Sequence, residues 1–186
     1  MVDINAPFPG IKRLMAVAGV AVITAFAPAN AAQIEPVTSF DIKRYSGKWY
    51  EIYRLDHRFE RNLSNVTARY KMRSNGTLEV TNRGFNTKKC KWSSATGTGR
   101  FRGATNVADL KVSFFWPFSG AYKVFALDRK NYSWAAVAGN NRNYFWILSR
   151  SPKLPASVEK KLLRKAASLG FNVNKLIKVD HSRPGC

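Results

Sequence analysis

Acidic side chains are scarce in this 186-residue chain: 11 Asp and Glu stand against 31 Lys and Arg, a formal charge of +20. Partners attracted over a distance are therefore anionic: phospholipid headgroups, lipopolysaccharide or nucleic acid. Cysteine is scarcer still. Two residues, Cys90 and Cys186, exclude a disulfide-dense scaffold and a multi-cysteine zinc site. The only histidines, His57 and His181, lie too far apart to suggest a metal site or a relay by spacing; His57 reads as a polar group in the loop after the first strand. There is no phosphate-cradling glycine loop, no G-x-S-x-G turn and no close pair of cysteines. The chain is read as a non-enzyme with no catalytic residues, no metal and no cofactor. Internal repeats and dividing linkers are absent, and the length suits one domain.

Long apolar runs are missing except near the start. Lys12 and Arg13 precede an apolar stretch over 14–26, and the small residues Ala27, Ala29, Ala31 and Ala32 follow. A positive start, a short apolar run and the A-x-A pattern Ala29-Asn30-Ala31 describe a secretory signal peptide over residues 1–32. The run falls short of the roughly 20 residues that span a bilayer; an uncleaved amphipathic anchor is the competing reading. Cleavage leaves a mature domain over 33–186 carrying about +19. No cysteine lies near the cleavage site to take a lipid. The expected destination is the periplasm or the exterior, which removes nucleic acid as a partner.

Aromatic residues make up 13% of the chain, so where their rings point decides the reading. Aromatic and β-branched runs over 48–56, 66–73, 77–85, 92–101, 108–116, 121–127, 132–139 and 144–149 alternate with turn signals at roughly ten-residue spacing. Ser74-Asn75-Gly76 and Pro117-Phe118-Ser119-Gly120 are two of those signals. The pattern predicts an all-β fold, an eight-stranded up-and-down antiparallel barrel whose closure removes exposed edges. Val158, Leu162, Leu163, Ala166 and Leu169 recur at helical spacing up to Gly170, which predicts one C-terminal helix packed outside the sheet. Residues 174–179 read as a short closing strand.

Alternation assigns faces. Leu110, Val112 and Phe114 form one row against Asp109, Lys111 and Ser113. Tyr144, Trp146 and Leu148 alternate with Phe145 and Ile147, so that strand is apolar on both sides, its second face packing under the helix. The inward rows place Tyr53, Tyr70, Phe114, Tyr122, Tyr144 and Trp146 toward the interior beside Gly97 and Gly99. Ala68, Val80, Phe101, Val112 and Val124 complete the expected ligand-binding wall. Rings beside missing side chains suit an irregular apolar cavity, and a collapsed core without a ligand is the competing reading. Glu51 falls on the row of Trp49 and Tyr53 and needs a partner, for which Arg100 or Arg150 is expected.

The segment Phe40 to Tyr50, with Gly47-Lys48-Trp49, resembles the opening of a lipocalin. Asp128 followed by Tyr132 resembles that family's second motif, with slightly different spacing, and Ile147-Leu148-Ser149-Arg150 the third. A finer resemblance, to bacterial lipocalins of the Blc type and to apolipoprotein D, rests on residues 55–60, 110–115 and 144–150. It implies that Gly47, Trp49, Asp128, Tyr132 and Arg150 hold the closed end, with Arg150 stacked on the Trp49 indole. It also implies a Cys90–Cys186 disulfide. The ligand class it implies is a small hydrophobic molecule, a fatty acid or lysophospholipid, whose head Tyr53, Tyr122 and Tyr144 would orient near the mouth. Many of those relatives carry a lipid-modified N-terminal cysteine, which this sequence lacks. The competing function is a basic adaptor making peripheral contact with an anionic membrane or envelope surface without an internal ligand.

Overall fold

Short turns carry the chain from each strand into its neighbour. In the computed structural model, which describes residues 33–182, Pro184 and Cys186, the strands are β1 (Gly47–Arg54), β2 (Leu63–Met72), β3 (Leu78–Asn86), β4 (Lys91–Phe101), β5 (Asp109–Phe115), β6 (Phe118–Leu127), β7 (Trp134–Ala138) and β8 (Phe145–Ser149). Each pairs antiparallel with the next, and β1 pairs with both β8 and β2, which closes the eight-stranded barrel. The expected signal peptide over 1–32 lies outside the described residues.

Strand ends shift by up to three residues from the sequence reading, and two of the differences change an assignment. The segment 117–120 is not a loop: β6 already begins at Phe118, Phe115 faces Phe118 across the ladder, and Trp116-Pro117 alone makes the turn. The closing strand narrows to β9 (Ile177–Lys178), preceded by a 3-10 turn at Val173–Lys175. β9 lies beside the far half of β1, where β2 has left it: β2 pairs with Gly47 to Tyr50, β9 with Tyr53 and Arg54.

A helix that periodicity did not reveal, α1 (Ile42–Tyr45), precedes β1; it is too short to show a repeat. Asp41 starts it by accepting hydrogen bonds from the Lys43 and Arg44 amides at 2.8 and 3.3 Å. The expected C-terminal helix is α2 (Ala156–Ser168), with Leu162 and Ala166 buried against the barrel wall. Two apolar clusters result. Trp49, Tyr70, Leu110, Val124 and Leu148 belong to the one inside the barrel. Ile52, Phe125, Phe145, Ile147, Leu162 and Phe171 belong to the one beneath α2. β8 feeds both, Leu148 inward and Phe145 and Ile147 outward, as its two-sided apolar pattern requires.

Antiparallel order sorts the connections between the two ends. The α1 end also carries the β2–β3, β4–β5 and β6–β7 turns; the opposite end, the mouth, carries β1–β2, β3–β4, β5–β6 and β7–β8. Cys90 lies at the mouth and is bridged to Cys186, with Cα atoms 5.9 Å apart, as the resemblance implied.

Candidate functional site

The closed end is held by the signature residues. Gly47 has φ +97°, a conformation that calls for glycine, and the Arg150 Nη1 lies at contact distance, 3.4 Å from where a Cβ would stand. Trp49 is 0% exposed and donates its indole N–H to the Tyr45 carbonyl at 2.8 Å. The Arg150 guanidinium lies 3.9 Å over that indole. It donates to the carbonyls of Arg44, Lys48 and Ser46 at 2.7, 2.8 and 2.9 Å, and to Tyr45 and Tyr132 at 3.1 and 3.2 Å. Tyr132 accepts from the Asp41 amide through its hydroxyl at 3.0 Å. Asp128 accepts from the amides of Lys130, Asn131 and Ser133 and from the Ser133 hydroxyl. Burial alone would raise its pKa; these donors outweigh it and hold the carboxyl below its ordinary value.

Above this floor the inner wall follows the predicted rows closely. Ala68, Tyr70, Val80, Val112 and Val124 are buried in the inner cluster. Phe101, Phe114, Tyr122 and Trp146 pack against it but stay partly exposed. Gly97 makes room for one of these rings: a Cβ on it would stand 2.9 Å from Phe114 Cδ1 and 2.5 Å from the Ser113 carbonyl. The Tyr122 hydroxyl sits 2.6 Å from both Tyr45 and Tyr70 hydroxyls. Three hydroxyl protons share two hydrogen bonds, which leaves one donor for a guest. Burial raises the pKa of all three tyrosines, so they stay protonated. Tyr122 is thus drawn toward α1 rather than toward the mouth, where sequence reading placed it. Tyr45 was missed because it belongs to the short α1.

The mouth corrects the reading further. Tyr53 does not face the interior: its hydroxyl donates to Glu159 of α2 at 2.6 Å, and it packs in the outer cluster. The cause is a bulge in the β1–β8 ladder between Glu51 and Tyr53, which shifts the alternation by one residue. Arg54 consequently takes the buried place beside Glu51, its Nη1 donating to Glu51 Oε1 at 2.9 Å. The partner of Glu51 is therefore Arg54, not Arg100 or Arg150. Arg54 Nη2 also donates to the Glu60 and Leu63 carbonyls at 2.9 and 3.1 Å, tying β1 to the loop that follows it. His57 is not merely a loop polar group. Its Nε2 lies 3.0 Å from Glu60 Oε2, which also accepts the Trp146 indole N–H at 3.1 Å. Tyr144, just before β8, stacks on Trp146 with centroids 6.3 Å apart and lies 5.9 Å from His57.

Burial first, and the charge of Glu60 second, push the Glu51 carboxyl well above the usual range against the pull of Arg54. Burial also opposes ionisation of Glu60, but His57, the Trp146 N–H and Arg54 outweigh it and hold that carboxyl below its ordinary value. Arg54 Nε and His57 Nδ1 are buried without a hydrogen-bond partner. A polar cluster with a spare Arg54 donor thus sits among aromatic rings at one end of an apolar barrel.

The lipocalin-like domain family matches residues 40–181. The chain is a lipocalin. It is 47% identical over 146 residues to the outer membrane lipoprotein Blc of Vibrio cholerae, covering 78% of this chain and 85% of that one. The identity to the Escherichia coli K12 protein of the same name is 46% over 170 residues, covering 91% and 94%. Bovine apolipoprotein D is 31% identical, covering 76% and 77%. The solved structure of insecticyanin from the tobacco hornworm Manduca sexta superposes with a TM-score of 0.68, covering 84% of this chain and 89% of that one at 22% identity, a likeness of fold. Lipocalins bind small hydrophobic ligands, and this lipocalin has the parts for it: a sealed floor, aromatic walls and a polar cluster at the mouth.

Proposed function

We propose that this lipocalin is an exported, non-enzymatic carrier of a single-chain amphiphile, a fatty acid or lysophospholipid, in envelope lipid storage, transport or repair. Residues 1–32 would be removed on export to the periplasm or beyond. The observation that carries the reading is the partial exposure of Phe114, Tyr122 and Trp146 on the inner face. A core filled by its own side chains would bury them, as it buries Trp49 and Leu110. Each methylene of a guest chain that leaves water contributes about 0.8 kcal/mol. The spare Nε donor of Arg54 suits an anionic or ester head. A fluorescent fatty acid should bind one to one, withstand 1 M salt, and weaken at least fivefold in Trp146→Ala and in Phe114→Ala. Binding that those variants leave intact would refute the interior site.

One observation favours a second reading, an adaptor for anionic surfaces. Phe59, Phe115, Trp116 and Phe118 are exposed at the mouth, Trp116 at 92%, and Arg58, Lys88 and Lys89 are exposed at the same end. Co-sedimentation with phosphatidylglycerol vesicles that salt abolishes, without displacement of an internal probe, would support it over the carrier.

A further inference from the structure

Above Thr98, β4 and β5 part. They pair only from Thr98↔Ser113 to Phe101↔Leu110, whereas β4 stays with β3 up to Lys91. Residues 91–97 therefore keep a free ladder edge on the β5 side. Between the diverging strands a cleft of about 510 Å³ opens, walled by Thr98, Arg100 and Lys111 of the outer rows, by Trp116 and Pro117 of the turn, and by the inner-row Phe114.

The base of that cleft is electrostatically odd. Arg100 and Lys111 are direct partners across the ladder, where like charges repel. Among the described residues neither has a carboxylate within ion-pair distance. Two acids on the adjoining strands are engaged elsewhere: Glu79 with Arg73 at 2.9 Å and Asp109 with Arg102 at 3.6 Å. Two adjacent cations beside a hydroxyl and unpaired backbone amides match a phosphate, which offers three acceptor oxygens and up to two charges. A carboxylate offers fewer of both. The lip of the same cleft is apolar, from Phe114, Trp116 and Pro117, and suits hydrocarbon attached to that phosphate.

We propose that this cleft is a second ligand site, outside the barrel, for a phosphorylated amphiphile. Arg100 and Lys111 hold the phosphate, and Trp116 covers the adjoining chain. The cleft shares Phe114 with the inner wall, but its charged groups, Arg100 and Lys111, lie on the opposite row of their strands, so substituting them tests this site apart from the interior carrier reading.

The test is calorimetric titration of the full mature chain with two probes, glycerol 3-phosphate and monomeric dihexanoyl phosphatidic acid. The expected result is saturable one-to-one binding of the lipid, weakened at least tenfold in Arg100→Gln/Lys111→Gln. The charge-matched control Lys160→Gln/Arg164→Gln, on the exposed face of α2, should keep the wild-type affinity. Trp116→Ala should weaken the lipid and leave glycerol 3-phosphate unchanged. Because the cation pair repels, its removal should not lower the melting temperature, which separates lost binding from lost folding. Equal losses in the control would overturn the site in favour of general attraction to net charge. Unchanged binding in Arg100→Gln/Lys111→Gln would overturn it in favour of the interior. Equal affinity for both probes, indifferent to Trp116→Ala, would keep the phosphate site and overturn its lipid source. A fluorescent fatty acid in the barrel should be unaffected by the double substitution, so this proposal and the carrier reading fail separately.

Discussion

Truncating Trp49 to alanine removes an indole that is 0% exposed and that joins α1, β1 and the Arg150 guanidinium in one contact set. Loss of transfer energy and the residual cavity cost about 3–5 kcal/mol for such a change. The lost stacking of Arg150, 3.9 Å away, adds about 1 kcal/mol in this half-buried setting. The Tyr45 carbonyl is not orphaned, because Arg150 Nη2 also donates to it at 3.1 Å, so no unsatisfied-acceptor penalty is added. The sum, about 4–6 kcal/mol, is a large share of the about 5–15 kcal/mol that holds a domain together. Trp49→Phe is therefore the readable companion: it keeps a ring, loses one hydrogen bond and leaves a small void, and should cost about 1–2 kcal/mol. Urea unfolding followed by far-ultraviolet circular dichroism measures both, and a cycle with Arg150→Ala should give a coupling near 1 kcal/mol. The reasoning is refuted if Trp49→Ala costs under 1 kcal/mol, or if it stays stable and loses only ligand.

Tyr53→Phe should leave ligand affinity within twofold and cost at most about 1 kcal/mol, since the hydroxyl meets Glu159 on the exterior; a tenfold affinity loss would contradict the outward placement. Arg54→Met should be more damaging at pH 7.5 than at pH 4.5. Glu51 holds its proton more tightly folded than unfolded, so its contribution is complete below the ordinary carboxylate pKa and fades as pH rises through the folded value. Without Arg54 the folded carboxyl holds its proton to still higher pH and that fading should extend further, and equal losses at both pH values in thermal melts would count against the pairing. Replacing Cys90 and Cys186 by serine should lower stability by up to about 4–5 kcal/mol, since the bridge spans a separation of 96 residues. An unchanged urea midpoint would show that the bridge does not constrain the unfolded chain.

Legibility in the sequence followed the length scale of the interaction. Inward rows at Ala68, Tyr70, Val80, Val112 and Val124 were readable because strand alternation has a strict period and those strands run regularly through them. The two-sided apolar run in β8 likewise announced the helix over it. Alternation failed at Tyr53, where one bulge shifted the register and exchanged Tyr53 for Arg54. Nothing local marks a bulge there: Glu51, Ile52, Tyr53 and Arg54 are acceptable strand residues on either face. His57 reads from sequence only as a loop polar group, and Glu60 carries no signal, for a related reason. They sit in a loop without periodicity, and their importance comes from Trp146 and Arg54 arriving from other elements.

From its sequence alone the chain was committed to a lipocalin meander, a helix outside it, and a signature cluster of Gly47, Trp49 and Arg150. Those features depend on periodicity, turn residues and short motifs, all encoded within a few neighbouring positions. Only the tertiary structure decided which polar groups are buried together at the mouth, that three tyrosine hydroxyls meet within the barrel, and that β4 and β5 separate to leave two cations facing one cleft. The tyrosine contacts and the Trp146–Glu60 bond join residues 52 to 86 positions apart. Their energies come from shared burial, which is settled when strands dock and not when they are written.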